Sequence, residues 1–257
     1  MNKNNSSLLN DNLVTAFLKE IQNAEGDEGS HFHKNKGANH MQGTIINLFV
    51  SAAEAMTNTL NWALLYLSLY PEIQDKLAKE ILTVIGSDRC PSLENFEKMP
   101  YTKAVMQEVL RISSTSPFSN FQMTTQDVTF ETYFIPKGTT IIANLYGIHH
   151  DPKFYPEPEI FNPDRFLNDT RSRDAPPPFL PFSVGLRTCP GQTFARNDFF
   201  LVLASLCQKF EFQWDPKVEK PSSDFLTEKC HVIFFRFTPK FKLLLACREK
   251  LDSDEEM

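Results

Sequence analysis

A mainly α fold with a small β component follows from three features of the chain. Apolar residues recur at helical spacing over several long stretches. Proline and glycine stop those stretches at definite points. Alternation of β-branched and aromatic residues is confined to short runs.

The elements follow in order. Residues 1–10 are polar and are expected to be a flexible N-terminus. Residues 11–22 (DNLVTAFLKEIQ) read as an amphipathic helix. Residues 23–40 are polar and glycine-bearing and are expected to form a mobile loop. A long helix is expected from Met41 to Tyr70, stopped by Pro71. Its polar residues Asn47, Ser51, Glu54, Asn58 and Asn61 recur at steps of three or four and make one stripe on a largely buried apolar cylinder. A second helix covers 72–86 and ends near Gly86, and residues 92–98 form a helical turn. YTKAVMQEVLRI (101–112) is the next helix. Residues 129–145 alternate and give short strands around a turn at Pro136-Lys137-Gly138. A proline-rich irregular stretch runs from 152 to 181. A nearly all-apolar helix covers 191–209. HVIFFRF and KFKLLLA give the last strands, and the acidic residues 248–257 form a disordered tail.

The 257 residues suffice for one large core, and the net charge of -6, without a basic stripe, argues against nucleic acid as a partner. Twenty-three phenylalanines fit an aromatic interior or an apolar ligand pocket. The five cysteines lie far apart without a C-x-x-C pair, which fits free thiols in a reducing compartment and argues against zinc. No signal peptide or lipid anchor is visible, and the apolar run at 44–70 is too interrupted for a membrane span.

The chemistry concentrates in FSVGLRTCPG (182–191). Cys189 stands in a loop punctuated by Gly185 and Gly191, with Arg187 two residues before it and Phe182 seven before it. Glycines let backbone approach a flat ligand and turn N–H groups toward sulfur. A helix starts just after the cysteine, and its positive N-terminus favours a thiolate. These features suit a metal-bound sulfur better than a structural cysteine in a turn.

The pattern Phe-x-x-Gly-x-Arg-x-Cys-x-Gly resembles the haem loop of the cytochrome P-450 superfamily. The resemblance implies that Cys189 is the axial ligand of a haem b iron (iron protoporphyrin IX), that Arg187 pairs with a haem propionate and that Phe182 shields the sulfur. Gly185 and Gly191 join the cofactor-binding set. Glu108 and Arg111, three apart on one helix face, resemble the family's Glu-x-x-Arg helix. FNPDRF (161–166) resembles its Pro-x-Arg-Phe segment. The implied buried triad is Glu108, Arg111 and Arg165, with a structural role.

In the family the long helix crosses the distal haem face and carries Ala/Gly-Gly-x-Asp/Glu-Thr-Thr. Here the matching run is Ser51-Ala52-Ala53-Glu54-Ala55-Met56. The resemblance makes Glu54 the proton-relay acid and Ala55 the position of a missing threonine. Ser51, one turn from Ala55 on nearly the same face, becomes a possible site for a replacement water. Gln122-Met123 stand where family members often carry a propionate-binding histidine or arginine. Ser116, Pro117 and Phe118 occupy the substrate-lining turn.

The resemblance spans residues 11–247, a partial haem domain corresponding to the C-terminal half of a family member, and is nearest to the animal microsomal branch. It implies a monooxygenase that inserts one atom of O2 into an apolar substrate with electrons from an NADPH-dependent flavoprotein reductase. Lys153, Arg171 and Arg173 are candidates for the reductase contact. It implies the cytosolic face of the endoplasmic reticulum membrane, reached through an N-terminal anchor absent from this sequence; the chain alone is expected to be cytoplasmic. Two alternatives stand beside this reading. One is a haem-thiolate isomerase or dehydratase acting on peroxides without O2 or reductase, compatible with Ala55. The other is a truncated, inactive chain.

Overall fold

A computed structural model describes residues 12–167, 178–221, 231–232 and 235–248. The chain divides into two compact units, residues 1–54 and 55–257. The first unit holds α1 (Leu13–Asn23) and the start of α2 (Lys34–Leu69). Asn12 caps α1, its side chain accepting from the Thr15 N–H at 3.0 Å while the Thr15 hydroxyl takes the Asn12 N–H at 3.2 Å. The expected loop over 23–40 is shorter than the sequence suggests, because α2 begins at Lys34. The helix runs through Gly37, where a Cβ would stand 2.4 Å from the Phe32 carbonyl and 2.5 Å from Ile21. That glycine marks a close packing contact, and the composition of 23–40 disguised it as a loop residue.

The expectation that α2 is largely buried holds only for its C-terminal half. Ile46, Phe49 and Val50 are exposed, Phe49 by 75%, whereas Trp62, Ala63, Leu65 and Leu67 are fully buried. The polar stripe divides the same way. Asn47, Ser51 and Glu54 are exposed. Asn58 is buried, donating to the Arg236 carbonyl and accepting from the Thr238 N–H at 3.2 Å.

The second unit is built on α3 (Pro71–Val84), α4 (Leu93–Phe96), α5 (Pro100–Ser113) and α8 (Gln192–Lys209). Pro71 and Pro100 sit at the first turns of α3 and α5, where a missing N–H costs nothing. Glu80 of α3 supplies the N-terminal cap of α5, accepting from the Tyr101 and Thr102 N–H groups at 2.8 and 2.7 Å. A carboxylate there meets both orphan donors and the positive end of the helix dipole. Leu77 and Ile81 of α3, Val105 and Val109 of α5, and Phe200 and Leu203 of α8 close on Trp62 and Leu65 in one core.

Among the described residues the strands pair in four two-stranded antiparallel ladders, one of which contributes Phe212 to this core. β1 (Gln122–Met123) pairs with β4 (Thr140–Ile141), and β2 (Val128–Phe130) with β3 (Tyr133–Ile135). The expected turn at Pro136–Gly138 joins β3 to β4, with Gly138 at φ +83°. The β2–β3 turn at Glu131 (φ +51°) gave no glycine signal. Short helices α6 (Leu145–His149) and α7 (Asp164–Leu167) follow; α6 starts at the last residue of the stretch read as strands and runs through residues given no reading, and α7 lies inside the stretch read as irregular. β5 (Phe210–Trp214), unexpected from the sequence, pairs with β8 (Leu243–Cys247). Within HVIFFRF, β6 (His231–Val232) pairs antiparallel with β7 (Phe235–Arg236). Arg248 does not belong to a disordered tail: its N–H donates to the Lys209 carbonyl at 2.9 Å and its guanidinium to the Cys207 carbonyl at 3.1 Å. Residues 1–10 and 249–257 lie outside the described residues.

Candidate functional site

The cysteine loop is shaped by its own backbone. Residues 185–187 make a single 3-10 turn entered through Gly185 at φ +78°, a conformation that favours glycine. The Thr188 N–H closes that turn on the Gly185 carbonyl at 3.1 Å. The Cys189 N–H returns to the Phe182 carbonyl at 2.9 Å, so the chain makes a full loop between the aromatic and the thiol. Gly191 caps α8, and the Ala195 N–H bonds to its carbonyl at 2.8 Å.

This geometry leaves the sulfur accessible. Cys189 is free and exposed, and a Cβ placed on Gly191 would stand 3.9 Å from its Sγ, at ordinary contact distance. Val184, Leu186 and Phe194, on either side of Cys189 in sequence, are also exposed, Leu186 fully. An open thiol at the N-terminus of an 18-residue helix, with apolar neighbours and the exposed Arg187 cation, has the donor chemistry that a flat, anionic, thiolate-ligated metal macrocycle requires. The residues present fit haem. Phe182 is half-buried, and the Arg196 guanidinium lies 5.2 Å from its ring centre.

Cys207 offers the contrast. It is fully buried in α8, and burial pushes its thiol up to about 12, so it is a packing residue. Cys90 and Cys247 are exposed but lie outside any comparable loop. Cys230 is outside the described residues.

Elsewhere in the second unit, α5 and the 156–165 segment meet at Glu108, which is fully buried. Its carboxylate accepts from Arg111 Nε at 2.7 Å, Arg111 Nη2 at 2.8 Å, Arg165 Nε at 3.1 Å and the Asn162 N–H at 2.9 Å. The remaining guanidinium donors are used on backbone. Arg111 reaches the carbonyls of His149 and Pro158, and Arg165 those of Pro156, Glu157 and Ile160. Glu108, Arg111 and Arg165 are therefore brought together, and each is satisfied.

His149 is built into the same cluster. Its Nδ1 lies 3.0 Å from Ser114 Oγ, and its Nε2 accepts from the Leu180 N–H at 3.0 Å. No local pattern signals a ring that reaches 31 residues ahead. Burial, then the Arg111 charge, pushes His149 down from 6.5 to about 4. Burial and Arg111 push His150 down to about 3. Both folded values lie below the unfolded value, so the unfolded chain takes up these protons first. Stability is expected to be highest above about pH 7 and to fall as pH drops through 6.5 toward 4, approaching about 1.4 kcal/mol per pH unit for each histidine. Urea midpoints measured between pH 7 and 5 check this. His150→Phe, which keeps the ring stacked 3.8 Å from Tyr146, is expected to remove about half of the slope.

The residues that the resemblance expects on the distal side fall in both units. Ser51 and Glu54 belong to the first, and both are exposed. The Ser51 hydroxyl donates to the Asn47 carbonyl of its own helix, so it has only lone pairs to offer a water. Ala55 opens the second unit, and its carbonyl accepts the Thr59 hydroxyl at 2.8 Å. Elsewhere, Pro117 is buried whereas Ser116, Phe118, Gln122 and Met123 are exposed. Lys153 is exposed, and Arg171 and Arg173 lie outside the described residues.

Comparison with known proteins adds to this geometry. A cytochrome P450 family profile matches residues 2–244. The chain belongs to the cytochrome P450 family. Human cytochrome P450 2J2 is 41% identical over 215 residues, covering 83% of this chain and 41% of that protein. Bos taurus cytochrome P450 2U1 is 43% identical over 175 residues, covering 68% and 32%. A solved zebra fish cytochrome P450 structure with abiraterone superposes with a TM-score of 0.79 at 29% identity, over 92% of this chain and 53% of that one. The chain thus spans between a third and about half of the P450 relatives it matches. The helices, short ladders and cysteine loop described above are part of the P450 fold, and that fold is mainly α with a small β component.

Proposed function

We propose that residues 11–247 form part of the haem domain of a haem-thiolate monooxygenase of the microsomal type. The observation that carries this reading is the exposed Cys189 thiol, held by the Cys189 N–H to Phe182 carbonyl bond at the N-terminus of α8. Cys189 would hold the iron of haem b, Arg187 a propionate, and Phe182, Gly185 and Gly191 the remainder of the proximal face. When bound, the haem supplies O2 activation; one oxygen atom enters an apolar substrate and the other leaves as water, with two electrons from NADPH through a flavoprotein reductase.

The chain's own residues orient the sulfur and leave it accessible. The α8 N-terminus places partial positive charge beside it, and Gly185 at φ +78° turns the chain into the loop. Glu54 would hold and pass a proton on the distal side. Ala55 supplies no hydroxyl there and Ser51 has turned its own toward Asn47, so proton delivery falls to Glu54 and solvent. The cytosolic face of the endoplasmic reticulum is the site of action on this reading.

Turnover with isotopically labelled O2 tests the reaction class. With reductase, NADPH and an apolar substrate, product is expected to carry one labelled oxygen, with more NADPH consumed than product formed. Product from a fatty-acid hydroperoxide without NADPH, and none with it, would assign the peroxide-rearranging chemistry instead.

A further inference from the structure

The segment that delivers the chain to the cysteine loop, residues 178–182, is held from behind by one side chain in particular. The Leu180 N–H donates to His149 Nε2 at 3.0 Å. The His149 ring lies 5.9 Å from that of Phe179, whose other neighbour is Phe166 at 5.3 Å. The Tyr155 hydroxyl reaches the Pro178 carbonyl at 3.3 Å. From Leu180 the backbone continues the connection: the Leu180 carbonyl accepts from the Ser183 N–H at 3.0 Å, and the Phe182 carbonyl accepts from the Cys189 N–H at 2.9 Å.

On its other side His149 is fixed to the buried ion cluster. Its carbonyl takes Arg111 Nη1 at 2.9 Å. The Ser114 hydroxyl donates to the Arg111 carbonyl at 2.8 Å, which leaves Ser114 Oγ to accept from Nδ1–H. Leu180 requires a lone pair on Nε2. The two partners therefore select one neutral tautomer, proton on Nδ1, and His149 is only 1% exposed. A protonated ring would set two donors against each other at Leu180.

We propose that His149 is a positioning residue that fixes the entry of the Cys189 loop to the Glu108–Arg111 cluster, and so sets where the sulfur stands relative to the metal. The inference rests on the haem-thiolate reading for its consequence, but not for the contact itself. His149 touches no reacting atom. Its action runs through Leu180 and Phe182. The low proton affinity imposed by burial and Arg111 keeps the acceptor available at neutral pH.

Two variants separate positioning from packing. His149→Gln places its Oε1 near the position of Nε2 and keeps an acceptor for Leu180. His149→Leu has comparable bulk and none. Amide hydrogen exchange resolved to single residues, on the chain as purified, is the first readout. In H149L the Leu180, Ser183 and Cys189 amides are expected to exchange about tenfold faster, with the α8 amides unchanged. In H149Q all are expected to stay near the parent rate. The second readout is the carbon monoxide spectrum of the reduced haem-loaded protein, in which H149L loses part of the red-shifted band and H149Q keeps it. Leu180→Pro deletes the N–H while leaving His149 in place, and substitutes for H149L if that variant does not fold. Unchanged exchange at Ser183 and Cys189 in H149L, or equal losses in H149L and H149Q, would overturn the proposal. A parent protein without the red-shifted band would refute the haem-thiolate reading while the exchange result still decides the contact.

Discussion

Glu108→Gln is expected to cost about 3–5 kcal/mol of stability, a large part of what a domain this size possesses. The reason is arithmetic of charge. One buried carboxylate faces two buried guanidiniums and a backbone N–H, with four donors aimed at its two oxygens. An amide replaces two acceptors by one acceptor and one donor, removes the carboxylate that contacts both arginines, and turns an N–H toward a cation. Chemical denaturation with a double-mutant cycle measures it. Glu108→Gln with Arg111→Met is expected to be less destabilised than the sum of the single changes, because the second change removes one stranded charge. Strict additivity would mean that the two groups do not act together.

Cys189→Ser is expected to abolish the thiolate signature of bound haem completely, since a serine hydroxyl stays neutral and is a far poorer ligand for the iron. Cys90→Ser and Cys247→Ser change thiols that are also exposed, and both are expected to leave the signature intact. Exposure alone therefore does not select Cys189. The α8 N-terminus and the loop closed on Phe182 do.

Much of this was legible from local patterns. The helices at 71–84 and 100–113 each carry an apolar period and begin at a proline, that at 13–23 carries such a period behind the Asn12 cap, and that at 192–209 is an apolar run begun at Gly191; all of these depend on near neighbours in sequence. Cys189, Arg187 and Gly185 share one decapeptide, so their association needed no tertiary information. Contacts made across long separations were not legible. β5 becomes a strand because Phe210–Trp214 finds a partner at 243–247, and the buried Gln74 holds Phe212 by accepting its N–H at 2.7 Å and donating to its carbonyl at 3.0 Å. Arg236, nearly fully buried, has a carbonyl that takes the Trp62 Nε1–H at 3.1 Å and a guanidinium 4.7 Å from the Trp62 ring, none of which composition reveals. His149 belongs to the same class: its meaning lies in Leu180, Ser114 and Arg111 together. The exposed half of α2 failed for the opposite reason. An apolar stripe states what a helix could bury, and among the described residues Phe49 and Val50 remain open.

The absorption spectrum of the reduced, haem-loaded chain under carbon monoxide is the most direct test of the whole account. A strongly red-shifted band in the parent that vanishes in Cys189→Ser is the predicted result. A band at the position of histidine-bound haem, or the same spectrum with serine at 189, would contradict it.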